Sequence, residues 1–162
     1  MPKVLALDLD GTLLRSDGTL SQRTFDAVCR CRENGMRVVI ASARPPRVIR
    51  APLPFDLIDD ARICYNGAEA YLDGKRVFQD PIQPPATREI LQLAYACEPR
   101  CHVSIEINNT LWTDHPLDGP WEHHVIDLAT VAHLPAAKVL IDLEQGGQAA
   151  SVIEALPLSA RR

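Results

Sequence analysis

Residues 3–14 read KVLALDLDGTLL, and the rest of the chain can be placed around them. Val4, Leu5, Ala6 and Leu7 form a short apolar run, the pattern of a buried strand covered on both faces in the middle of a parallel sheet. Asp8 and Asp10 follow at once. Side chains two apart in extended chain point the same way, so both acids are expected to face one site, with Gly11 letting the backbone turn close to a ligand. Carboxylates crowded like this repel each other unless a cation or a shared proton intervenes, and a metal is the simpler answer. The plainer alternative is an ordinary Asp-Gly-Thr turn closing a strand. Against it stand the acid set directly before the glycine and a compatible second strand downstream.

That second strand is Met36–Ala41, MRVVIA. Before it, Ser16, Asp17 and Gly18 signal a loop, Ser21 is placed to cap a helix, and Gly35 stands where that helix should stop. Phe25, Val28, Cys29 and Arg32 lie between them at helical spacing. Strand, helix, strand is the βαβ unit, whose strands run parallel and end at the same edge of the sheet. Ligands of open α/β sheets collect at that carboxyl edge, which puts Ser42 near Asp8 and Asp10. Taken alone, a serine ending a strand is usually an N-cap, here for a helix opened by Pro45 and Pro46. Arg44 is either a substrate contact or a solvated charge.

The DLDGTL segment, Asp8–Leu13, resembles the first motif, DxDGTL, of the haloacid dehalogenase-like (HAD) superfamily of phosphohydrolases. Ser42-Ala43-Arg44 resembles the second, a Ser or Thr ending the second strand and often followed by Gly-Arg, with Ala43 where the glycine is common. The pairing of Ser42 with the first motif favours a hydroxyl donor to phosphate over the N-cap. Further on, Ile63–Tyr65 reads as a strand, and Asp73-Gly74 as the turn of a hairpin between residues 68–72 and 75–79. Asn66-Gly67-Ala68 is similar to the NGA segment of the Cof-type branch, where the core sheet hands over to a cap domain and the asparagine lies near the substrate entrance.

The resemblance implies an α/β fold: the N-terminal part of a Rossmann-like parallel-sheet core over residues 1–80, and part of an inserted α+β C2-type cap over 81–162. It implies Asp8 as nucleophile and Asp10 as acid and base. Mg²⁺ is expected on the Asp8 carboxylate and the Asp10 backbone carbonyl, with Leu9, Gly11, Ser42, Arg44 and Asn66 contacting a small phosphorylated metabolite. The family pattern does not finish. A lysine that neutralises the phosphoryl group and an acidic GDxxND-like segment are both missing. Lys138 precedes a cap-type strand, and Asp142 lacks GDxxND surroundings. The expectation is a core with an unpaired edge, covered by another copy or a second chain, and impaired activity; the alternative is a non-catalytic protein that binds a phosphate compound or a partner chain.

Pro81, Pro84 and Pro85 read as a semi-rigid linker, followed by a helix over Ala86–Cys97. His102–Ile107 and Thr110–Thr113 read as strands about an Asn108-Asn109 turn, Lys138–Leu143 as a further strand, and Gln148–Leu156 as a last helix. This order resembles the opening of a type C2 cap. Adjacent His123 and His124 diverge, and His102, His115 and His133 have no carboxylate partner at metal-ligand spacing, so structural roles are expected for all five histidines. Trp112 and Trp121 are expected to pack the cap's sheet.

The composition, 46% hydrophobic and 23% charged over 162 residues, is that of a globular protein. A net charge of -4 argues against a general nucleic-acid binder. No apolar run approaches the roughly 20 residues of a membrane span. Five irregularly spaced cysteines suit free thiols in a reducing cytoplasm, and the N-terminus enters a strand without a secretory leader.

Overall fold

The computed structural model describes residues 3–49, 53–54 and 61–142. The chain divides into two compact units, Met1–Asp80 and Pro81–Arg162.

In the first unit a five-stranded sheet has the order β1 (Lys3–Asp8), β2 (Met36–Ala41), β3 (Ala61–Cys64), β4 (Glu69–Leu72), β5 (Lys75–Gln79). The first three strands are parallel, and β4 and β5 run antiparallel to their predecessors. Helix α1 (Gln22–Glu33) links β1 to β2 as expected. Ser21 caps it by accepting the Thr24 amide at 3.0 Å, and Gly35, with φ of 78°, follows its end. Val38 and Ile40, two apart on β2, are fully buried with Val28 of α1. The β4–β5 turn holds Asp73 and Gly74 at φ of 49° and 74°. Positive φ at both central residues is the turn whose twist matches the flanking strands.

One expectation fails here. β1 is not covered on both faces: Val4 is 61% exposed, and no residue of the strand is buried. Among the described residues it lies at the edge of the sheet, hydrogen-bonded to β2 alone. Its apolar run is that of an interior strand, but no described strand pairs on its other side. The apolar burial shifts instead to Leu9, Leu13 and Leu14, just past the strand end. The third strand also differs from the expected Ile63–Tyr65. It ends at Cys64, and Tyr65 turns away at φ of 53°.

In the second unit, helix α3 (Pro84–Cys97; the short α2, Pro46–Ile49, precedes it in the chain) packs on a four-stranded sheet. The strand order is β8 (His124–Val125), β7 (Thr110–Thr113), β6 (His102–Ile107), β9 (Lys138–Asp142). Pro84 and Pro85 are not linker but the first turn of α3, where the missing amide hydrogens have no intrahelical partner to lose. Asn108 and Asn109, at φ of 51° and 61°, make the β6–β7 turn. The core gathers Leu91, Ala94, Val103, Ile105, Ile107 and Leu128. Trp112 packs against this core as expected, but Trp121 is half exposed. The expected helix at Gln148–Leu156 lies outside the described residues, as does Leu143. Among the described residues, no helix is long and apolar enough to cross a membrane.

Candidate active site

Parallel pairing of β1 with β2 sets Asp8 opposite Ala41. Ser42, the next residue, therefore stands at the same sheet edge as Asp8. The turn Leu9–Leu13 then folds back, closed by the Leu14 amide donating to the Leu9 carbonyl at 2.9 Å. Gly11 adopts φ of 75° there. A Cβ would meet nothing within 4 Å, so glycine is needed for its conformation and not for room. Leu9 itself is fully buried and anchors the turn.

The two acids have different surroundings. Asp8 is exposed, and Thr12 donates its hydroxyl to Oδ2 at 3.2 Å. Oδ1 is left without a partner among the described residues. Asp10 is clasped by Arg44, whose Nε donates to Oδ2 at 2.9 Å and Nη2 to Oδ1 at 2.6 Å. The Arg44 side chain, 29% exposed, bridges the motif after β1 to the segment after β2.

Ser42 is buried, and its Oγ accepts the Arg44 amide at 3.1 Å. That bond closes the local turn; it does not cap α2, which begins at Pro46. The hydroxyl hydrogen remains available to donate. Backbone bonds draw in the third segment: the Asn66 amide donates to the Ser42 carbonyl at 3.3 Å and the Tyr65 amide to the Arg44 carbonyl at 3.2 Å. Asn66 is exposed, in the left-handed conformation at φ of 57°. Every expected site residue thus lies in three linked segments at the carboxyl ends of three neighbouring parallel strands. Thr12, within the first motif, is the additional side chain whose contact with Asp8 the sequence reading left unassigned.

A family profile for haloacid dehalogenase-like hydrolases matches residues 5–148. The chain belongs to this family. Pyridoxal phosphate phosphatase YbhA of Escherichia coli (strain K12) is 30% identical over 116 residues, covering 70% of this chain and 42% of that protein. The HAD-superfamily phosphatase BT1666 of Bacteroides thetaiotaomicron is 28% identical in sequence and superposes with a TM-score of 0.65 over 81% of this chain and 52% of that one. A HAD subclass IIB sugar phosphatase, BT4131, shares only 16% identity but the same fold, with a TM-score of 0.80 over 96% of this chain and 64% of that one. The chain therefore spans roughly half the length of these HAD relatives.

A correction concerns the histidines. His102 and His115 do have a carboxylate partner: Asp114 Oδ1 lies 2.8 Å from His115 Nδ1 and 3.7 Å from His102 Nδ1. The signal was present in the sequence. Counting outward from the Asn108-Asn109 turn sets Ser104 opposite Thr113, so one and two residues further out Val103 falls beside Asp114 and His102 beside His115.

Proposed function

We propose that this chain carries the nucleophile and phosphate-binding part of a Mg²⁺-dependent phosphohydrolase that acts on small phosphorylated metabolites through an aspartyl-phosphate. The observation that supports this most is Asp8 at the sheet's carboxyl edge, with one carboxylate oxygen unengaged among the described residues, in the same linked segments as Ser42.

Phosphate esters resist attack because nucleophile and target are both negative, so the protein must supply alignment and positive charge. Asp8 Oδ1 forms a bond to phosphorus as the ester P–O bond breaks in line. Asp10 gives a proton to the departing alcohol oxygen, then takes one from the water that attacks phosphorus and frees Asp8. Ser42 Oγ and the amides around Leu9 and Gly11 donate to the phosphoryl oxygens, and Asn66 lies where a substrate would enter. Hard oxygen donors such as the Asp8 carboxylate and the Asp10 backbone carbonyl suit Mg²⁺, which keeps several waters and asks for few protein ligands. When bound, the ion supplies charge that offsets the phosphoryl group.

Arg44 has a part in this scheme. Both Asp10 oxygens accept from its guanidinium, so Arg44 holds the orientation of the Asp10 carboxylate. An exposed ion pair contributes about 0–1 kcal/mol, and the same planar guanidinium fork that grips Asp10 also fits a phosphoryl group. Arg44 is thus placed to turn from Asp10 to an incoming phosphoryl group. Arg44→Ala is expected to raise KM for a phosphate ester about tenfold or more, since a hydrogen bond to a charged group is worth roughly 1.5–3 kcal/mol, and to lower stability by under about 1 kcal/mol. An unchanged KM removes Arg44 from the phosphate site.

The function itself is tested with an aryl phosphate: hydrolysis is expected in Mg²⁺ and should stop on chelation with EDTA and return when Mg²⁺ is restored. A second reading, a non-catalytic protein that pairs with another chain, draws on the open edge of β1 and the exposure of Val4. It expects Mg²⁺ or phosphate binding and a stable complex without turnover, and detection of phosphorylated Asp8 excludes it.

A further inference from the structure

We propose that His102, Asp114 and His115, in the second unit, form a binding site for a borderline divalent transition metal of the zinc type, separate from the phosphate chemistry. The three residues each offer a ligand atom, and these atoms all lie within 4.8 Å of one another. Two imidazoles and a carboxylate are the mixed nitrogen and oxygen donors that Zn²⁺ prefers over Mg²⁺. Three protein ligands also leave a fourth position open to water.

Bonds of about 2.0–2.1 Å in a tetrahedron place ligand atoms roughly 3.3 Å apart. The observed separations from Asp114 Oδ1, 2.8 Å to His115 Nδ1 and 3.7 Å to His102 Nδ1, lie on either side of that value, so each needs to change by about half an ångström. The rings are stacked, with centroids 3.9 Å apart and planes 23° from parallel. Nitrogens bound to one ion cannot keep that stack, because each ring plane must contain its own metal bond. His102, 40% exposed, has the freedom to turn out of it. In the bound form each ring presents the Nδ1 lone pair and keeps its proton on Nε2.

The carboxylate is held for this role from behind. Tyr95 donates its hydroxyl to Asp114 Oδ2 at 2.6 Å, and the Val103 amide donates to both oxygens at 3.1 Å. Outer-shell partners of this kind orient a ligating carboxylate. Thr113 Oγ1, 3.0 Å from His115 Nδ1, is a further polar neighbour.

The test is calorimetric titration of the whole chain with Zn²⁺ in excess Mg²⁺, which keeps the Asp8 region from contributing. One saturable Zn²⁺ per chain is expected, and His102→Ala should weaken it at least tenfold while melting like wild type in the absence of zinc. In the wild-type protein the imidazole resonances of His102 and His115 should shift with zinc while those of His123 and His133 stay in place. Equal zinc affinity in the two proteins, absence of saturable binding to wild type, or shifts confined to other histidines overturns the proposal.

Discussion

Replacing Asp8 by asparagine should remove Mg²⁺-dependent hydrolysis of an aryl phosphate almost entirely, with a loss on the order of 10⁴-fold, the scale on which removing one member of a covalent catalytic unit operates. At about 1.4 kcal/mol per tenfold, that is roughly 5–6 kcal/mol of transition-state stabilisation. The substitution isolates chemistry from folding. Asp8 is exposed at a strand end, and its one side-chain hydrogen bond among the described residues is to the Thr12 hydroxyl at 3.2 Å, which an amide oxygen can accept equally well. The amide cannot act as the nucleophile that a carboxylate is, and it withdraws a negative oxygen from any bound Mg²⁺. Asp10→Asn differs in kind: it removes proton transfer and also weakens the clasp of Arg44, so its effect divides between rate and binding. Equal rates for wild type and Asp8→Asn would dismiss Asp8 as the nucleophile, whatever the fate of the other residues.

What could be read in advance follows from which forces are local. The cap at Ser21, the glycine after α1 and the Asp73-Gly74 turn depend on a few adjacent residues, and each stands where the sequence puts it. Ser42 could be brought to Asp8 because a βαβ connection leaves two parallel strands ending together, and the register of β1 with β2 does this. The failures concern context that a window of residues does not contain. The apolar run Val4–Leu7 describes a strand that suits two covered faces, but burial depends on what lies against it, and β1 is the sheet edge among the described residues. Pro84 and Pro85 looked like linker because proline breaks helices, yet its first turn is the one place a helix accepts it. The Arg44–Asp10 clasp spans 34 positions, and neither residue type announces the other. The His102–Asp114–His115 group was legible only by pairing two strands about their turn before asking which side chains meet. Strand β8, two residues long, has no pattern to read.

The buried Glu69 carries the largest stability prediction. It is 1% exposed on β4, and it accepts the Tyr71 hydroxyl at 2.7 Å and Arg76 Nη1 at 3.1 Å. Glu69 pairs across the sheet with Cys64, and Tyr71 pairs with Arg62. Alternation therefore places Arg62, Cys64, Glu69 and Tyr71 on one face. If Glu69 becomes alanine, the consequences differ by partner. Arg76 is 40% exposed and can turn to water. Arg62, 5% exposed and set against the Tyr71 ring at 5.3 Å, has no such route to water. Tyr71 loses its acceptor. A hydrogen bond to a charged group contributes about 1.5–3 kcal/mol; with Tyr71 left without its buried acceptor, the upper end applies, about 3 kcal/mol for Glu69→Ala. Glu69→Gln keeps an acceptor for Tyr71 and most of the volume, so a loss of about 1–2 kcal/mol is expected. Urea unfolding at neutral pH should rank wild type above Gln above Ala. Burial first, then Glu69, raises the Tyr71 hydroxyl to about 12. A folded-state pKa above the unfolded value means that this part of the stability is complete below about pH 10 and is lost as pH climbs through 12. Because burial is the larger cause, Glu69→Gln should reduce that alkaline loss without abolishing it. An alanine variant within about 0.5 kcal/mol of wild type would mean that the carboxylate is not what secures this face of the sheet.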